Sequence, residues 1–238
     1  MNAHTPVEPS RGESNTSKAA LKRMLQVVIT YLILAAILFI SSGRLNWIWA
    51  WAYLGVGLAL LMINALILPP ELIAERGQPG DNVKRRDRVL ATLGSLATLG
   101  VPIVTGLDER LGWSPQLVPA IHLIGLTFFV LGQGLFSWAM ASNKYFSTAV
   151  RIQMDRGHTV ATAGPYRYVR HPGYVGYIVS FLGMSLALGS LWAIIPAGLI
   201  ACLLVARTVL EDRTLQDELP GYKDYARRVR YRLLPGMW

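Results

Sequence analysis

Charged residues punctuate this chain at long intervals, and the stretches between them are almost wholly apolar. Met24 to Ile40, Leu45 to Pro70, Val89 to Leu107 and Leu111 to Asn143 carry no charge. At about 1.5 Å per residue, each is long enough to cross a hydrocarbon core as a helix of roughly 17 residues or more. A further uncharged run, His171 to Ala206, would reach about 54 Å as one straight helix, too long for a single crossing. It has to fold back, and Leu188-Gly189-Ser190 in its middle is the natural turn. The pattern predicts a short helix from about Gly173 to Leu188, another from about Leu191 to Val209, and six spans in all.

Composition agrees with a membrane protein, at 53% hydrophobic and 16% charged. The charges also orient the spans, because cytoplasmic loops hold an excess of Lys and Arg. Of the 23 Lys and Arg, all but Arg44 and Arg110 fall in the N-terminal segment, the loops after the second and fourth spans, and the tail from Arg207. Both ends are therefore expected in the cytoplasm. The net charge of +9 follows membrane side rather than one soluble face, so no nucleic-acid partner is expected. The basic loops suit anionic membrane lipids, at about 1 kcal/mol per residue near the surface. Cys202 stands alone, which excludes a disulfide framework and a cysteine metal site; it reads as a small packing residue, and no metal is expected. Residues 1–17 read as a disordered cytoplasmic tail. Residues 18–238 read as one membrane domain, with a four-span scaffold over 18–140 and a binding region over 141–238.

Chemistry concentrates in Thr162 to Tyr174, a basic and aromatic loop running straight into an apolar segment. Arg170 and His171 are costly to hold beside a bilayer unless something binds or uses them, and Pro172 and Gly173 fix the backbone where a helix begins. The segments Ala141–Pro172 and Arg207–Trp238 flank the folded-back pair, so they are expected to meet in one pocket. Arg207 and Glu211, four apart on the emerging helix, share a face. They form either an intrahelical salt bridge worth a few tenths of a kcal/mol or an anion binder and a cation binder on one wall. Elsewhere, His122 reads as a packed or hydrogen-bonded helix residue, and Trp47, Trp49 and Trp51 as an interfacial belt. Tyr222 and Tyr225 either anchor the tail or touch substrate. Gly132-Gln133-Gly134 lies in a span and is no dinucleotide fingerprint.

An ordered set of motifs runs through the last hundred residues: Gly157-His158-Thr159-Val160, Gly164-Pro165-Tyr166, Arg170-His171-Pro172-Gly173-Tyr174, an apolar hairpin, Arg207 with Glu211, Tyr222-x-x-Tyr225 and Pro235. Over residues 141–238 this resembles the isoprenylcysteine carboxyl methyltransferase family. More loosely it resembles the phospholipid methyltransferases, which share the Arg-His-Pro-x-Tyr element and the acidic residue after the hairpin. The first four spans carry no such signature.

The resemblance implies an all-α integral membrane enzyme using S-adenosylmethionine, bound without a Rossmann fold in a cytoplasmic pocket built from the 141–172 loop and the tail. It assigns Gln153, His158, Thr159, Val160 and Ala161 to the nucleoside, largely through backbone groups, with Tyr166 packing against the ligand. His171, Pro172, Gly173 and Tyr174 follow its methionine end, where a helix N-terminus suits a carboxylate and the ring of Tyr174 or Tyr166 suits a sulfonium. Glu211 takes the ammonium or a ribose hydroxyl. Arg207 binds the acceptor, since its planar fork suits a carboxylate or phosphate. Arg207 and Glu211 are thus the expected catalytic pair.

The expected partners are membrane lipids and a lipid or amphiphilic small-molecule substrate, with no protein partner predicted. Two other functions stay open on sequence. Sterol reductases using NADPH share a related loop and basic tail, although the Arg-His-Pro spacing and the Arg207/Glu211 pair favour methyl transfer. A transporter or lipid-binding scaffold would place polar groups near the middle of its spans, whereas here they gather at one edge. The acceptor atom, O, N or S, is left open.

Overall fold

The computed structural model describes residues 11–75, 85–147, 152–153 and 157–238. Among these the regular structure is entirely helical. The helices are α1 (Arg11–Ser42), α2 (Ile48–Ile67), α3 (Pro70–Glu75), α4 (Arg85–Leu111), α5 (Pro119–Ala141), α6 (Pro172–Ala187), α7 (Ile194–Glu218) and α8 (Tyr222–Arg228), with a 3-10 helix at Gly164–Arg167. Local chemistry sets the boundaries. α2 stops at Leu68, which is extended at ψ 137 because Pro69 disfavours a helical residue before it. Pro119 and Pro172 open α5 and α6, where a missing N–H costs nothing.

Among the described residues five helices are long and apolar enough to cross a membrane, ending with Ile194–Glu218, and the chain is a multi-pass integral membrane protein by that pattern. α6 is apolar but has 16 residues, about 24 Å by its rise, shorter than the other five. α6 ends at Ala187, where the turn was expected: Gly189 takes φ +80, and Ser190 N–H bonds Ser185 O at 2.9 Å.

Two boundaries differ from the sequence expectation. α1 starts at Arg11, so residues 11–17 of the expected disordered tail are helical, while residues 1–10 lie outside the described residues. Once the apolar span is nucleated, extending its ladder outward adds a hydrogen bond per residue fixed. α7 likewise continues past Val209 to Glu218, carrying Arg207 and Glu211 on rigid helix. Of the basic residues used for orientation, Arg76, Lys84, Arg151 and Arg156 lie outside the described residues.

The tightest packing is between α5 and α6, where glycine faces glycine. A Cβ added at Gly132 would meet Gly176 O at 2.6 Å, and one at Gly183 would meet Phe129 N at 2.5 Å. Small residues let backbones approach where no hydrophobic effect drives helices together. A separate core of Leu38, Trp47, Ala50, Val101, Met184, Leu188 and Ile200 joins α1, α2, α4, α6 and α7. Leu66, Leu131, Ile195 and Leu199 point outward and are exposed, as expected where lipid is the solvent.

At the end of the bundle away from Arg170, the short loops are clamped by Asp108. Its buried carboxylate accepts from Ser114 N at 2.7 Å, Ser114 Oγ at 2.6 Å and Ser190 Oγ at 2.5 Å. Arg44 pairs with Glu109 beside it. His122 is the packed, hydrogen-bonded residue expected: its Nδ1 lies 2.9 Å from Ala187 O, so it donates to that carbonyl, and its ring stacks on Trp49 at 4.2 Å. The tryptophan belt needs correction, since Trp47 is buried in the core and only Trp51 of the three is exposed. Apolar burial between helices outweighs interfacial placement for Trp47.

Gly183→Val should force α5 and α6 apart and lower the thermal unfolding midpoint in detergent, with an overpacking cost of about 1–3 kcal/mol. Gly134→Ala, whose added Cβ meets nothing within 4 Å, should leave the midpoint unchanged or raise it.

Candidate functional site

The site forms where the start of α6 meets the C-terminal half of α7. The approach to α6 is shaped by Gly164, at φ +58 and packed so closely that a Cβ would lie 2.2 Å from Ser142 Oγ. Glycine is required there on both counts. The 3-10 helix that follows buries Tyr166. Arg170 N–H then bonds Tyr231 O at 3.0 Å and His171 N–H bonds Arg232 O at 2.9 Å, so the segment before α6 is laced to the tail before Pro172 starts the helix.

These elements enclose a cavity of about 100 Å³. Of the residues expected in the site, His158, Val160, Ala161, Tyr166, His171, Gly173, Tyr174 and Glu211 line it. The loop and the tail segments do meet at one cavity, because Tyr145 and Phe146 come from the first and Leu215, Tyr222 and Tyr225 from the second. Gly173 admits the Phe146 ring, which a Cβ would meet at 3.0 Å. Four expected residues are not in the lining. Gln153 is fully buried behind the wall, donating from Nε2 to Tyr145 O at 2.8 Å and from its backbone N–H to His158 Nδ1 at 3.2 Å; it positions His158 rather than facing the cavity. Thr159 lies between two lining residues, its neighbours His158 and Val160. Pro172 is buried at the first position of α6. Arg207 stands beside the cavity, its guanidinium carbon 5.8 Å from the Tyr174 ring centre.

Tyr174 joins three of these groups. Its hydroxyl bonds the Glu211 carboxylate, its ring lies parallel to that of His171 at 5.8 Å, and Arg207 lies against it. Arg207, Glu211 and Leu215 follow a four-residue repeat on α7, the spacing that puts side chains on one face. The face offset by one residue carries Thr208, Asp212 and Gln216 and turns toward the tail.

Asp212 is the residue that sequence reasoning missed. It is fully buried, yet it meets Arg170 Nη1 at 2.9 Å and Arg232 Nε at 3.0 Å. It also accepts from Tyr222 Oη at 3.0 Å and Gln216 Nε2 at 2.9 Å, and His171 Nε2 lies 3.6 Å away. A carboxylate is tolerable in such a place only when paired and hydrogen-bonded. Burial first, and the Asp212 charge second, push the Tyr222 phenol well above its ordinary range, so it stays protonated and donates. Tyr225 donates to Tyr166 O at 2.8 Å. Both tail tyrosines therefore anchor the tail and also line the cavity. The available signal was the adjacent acid pair Glu211-Asp212 at the end of an apolar helix, followed by a strongly basic tail.

Apolar helices carrying a polar, aromatic-lined cavity at one end define a membrane protein whose site lies at the bundle's edge. Residues 123–217 match the family model for isoprenylcysteine carboxyl methyltransferase (ICMT). The chain is similar to the protein-S-isoprenylcysteine O-methyltransferase of Schizosaccharomyces pombe, 42% identical over 66 residues, which cover 27% of this chain and 28% of that protein. It is also similar to the mouse protein of the same name, 30% identical over 132 residues, covering 51% of this chain and 44% of that protein. The cobalt-zinc-cadmium resistance protein CzcN of Cupriavidus metallidurans is 30% identical over 118 residues, covering 49% of each. The chain thus spans about half or less of these curated relatives.

Asp212→Asn should destabilise the protein by roughly 3–5 kcal/mol, because it strands buried cations, read as a fall in the detergent unfolding midpoint. Tyr222 titrates higher folded than unfolded. Its contribution is therefore intact below about pH 10 and declines as pH rises toward the folded value. Tyr222→Phe should flatten that alkaline decline.

Proposed function

We propose that this protein is an S-adenosylmethionine-dependent methyltransferase that esterifies the carboxylate of a lipid-like, isoprenylcysteine-type acceptor at the cytoplasmic membrane surface. The observation that carries the reading is the Arg207–Tyr174–Glu211 arrangement. One aromatic ring separates a carboxylate inside the cavity from a guanidinium one helical turn nearer the apolar part of α7. A water-soluble donor and an acceptor whose tail stays in lipid would meet across such a ring.

The residues present fit the donor. Glu211 suits its ammonium or a ribose hydroxyl, the Tyr166 and Tyr174 ring faces suit a cation, and the first turn of α6 suits a carboxylate. When bound, S-adenosylmethionine would supply an electrophilic methyl group on its sulfonium. Arg207 then holds the acceptor carboxylate in a two-point contact and aims one oxygen at that methyl. The nucleophile is already anionic, so no general base is needed, and the protein's part is positioning. The cavity, about 100 Å³, is below the roughly 300–1,000 Å³ of drug-sized ligand sites. The orientation is six crossings with both ends cytoplasmic, α6 being the short one, supported by the side on which Lys and Arg gather.

The names of the relatives above place the isoprenylcysteine on a protein, which widens the expected acceptor from an amphiphilic small molecule to any chain ending in that group. No observation favours the reductase or the scaffold.

In detergent, calorimetric titration should show S-adenosylmethionine binding and no NADPH binding. Glu211→Ala should weaken donor binding by about tenfold or more, the loss of a charged hydrogen-bond partner. Arg207→Lys should raise KM for the acceptor while leaving donor binding near that of the native protein. NADPH binding alone would overturn the proposal.

A further inference from the structure

The tail after α8 is tied to the cavity wall more closely than an anchoring role requires. Arg170, which lines the cavity, is held at three points by other parts of the chain. Its backbone N–H bonds Tyr231 O at 3.0 Å, its Nη2 bonds Arg230 O at 3.3 Å, and its Nη1 meets Asp212 at 2.9 Å. Two of these three come from the tail. His171 is held by the same ladder through Arg232 O at 2.9 Å.

Arg232 closes the circuit. Its Nε meets the other Asp212 oxygen at 3.0 Å, its guanidinium lies over the Trp238 ring at 5.0 Å, and its backbone N–H bonds Trp238 O at 2.7 Å. Its own side chain is 28% exposed whereas that of Asp212 is fully buried, so Arg232 connects the buried cluster to the surface. We propose that residues 230–238 act as a latch on the donor cavity, with Arg232 as a positioning residue that sets Arg170 and His171 through Asp212. The inference rests on the donor reading above and adds a coupling to it. If the wall is set only while the latch is docked, binding in the cavity and docking of the latch favour each other by the same factor.

S-adenosylhomocysteine serves as the probe, titrated calorimetrically into the full-length protein, Arg232→Ala and Arg232→Lys. Arg232→Ala should weaken binding by about tenfold, and Arg232→Lys, which keeps the charge but not the planar fork, should recover part of it. Gly106→Ala, whose Cβ would meet Ser41 Oγ at 2.0 Å in the distant α1–α4 contact, controls for general destabilisation and should keep native affinity. Hydrogen exchange without probe gives the second readout: the amides of Arg170 and His171 should exchange faster in Arg232→Ala, and those of α1 and α4 at the native rate. Native affinity or native exchange in Arg232→Ala would overturn the latch. Failure of the native protein to bind the probe would overturn the donor reading, and the exchange comparison would still decide the latch.

Discussion

A buried carboxylate, Asp212, holds the polar end of this molecule together. Three separate pieces of chain converge there: the segment before α6 through Arg170, α7 through its own backbone and Gln216, and the tail through Tyr222 and Arg232. Such a cluster is not a strong source of net stability, because removing charges from water costs about as much as their attraction returns. Its effect is specificity of arrangement. Asp212 meets Arg170 and His171 where they wall the cavity, and Glu211, one residue away, is turned into that cavity to meet Tyr174.

The apolar body makes this possible by being rigid at both ends. Glycine-mediated contact between α5 and α6 fixes where α6 starts relative to Tyr145 and Phe146, which follow α5. The Asp108 clamp fixes the turn between α6 and α7 at the far end, and hence where α7 brings Arg207 and Glu211. Two buried carboxylates, one at each end, thus bracket the α6–α7 pair. The distal one is satisfied by neutral hydroxyls and a backbone N–H, the proximal one by two arginines together with a phenol and an amide.

Much of this was legible in the uncharged runs, because a helix in lipid must satisfy its own backbone and so advertises itself by length and composition. The turn at Gly189 and the start of α6 at Pro172 were legible for the same local reasons. The meeting of the 141–172 loop with the tail followed from connectivity, and Glu211 with Tyr174 came from the motif. Asp212 was not legible, since an acid beside another acid looks like surface until the partners arrive from 42 residues before it and 20 after. Gln153 shows the converse. The resemblance set it against the nucleoside, but its side-chain amide donates to Tyr145 O and its backbone N–H to His158 Nδ1, behind the cavity wall. Trp47 was misplaced because periodicity does not say which side of an apolar helix meets protein and which meets lipid.

The most direct test of the central claim is transfer of a labelled methyl group from S-adenosylmethionine to an S-prenylated cysteine with a free carboxylate, using the purified protein in liposomes. A carboxyl methyltransferase gives a product that releases its label as methanol in alkali. Label that survives alkali would place the methyl on nitrogen or sulfur and contradict the carboxylate reading. No incorporation into an acceptor of this kind, free or on a peptide, would contradict the assignment of Arg207 as the group that receives it.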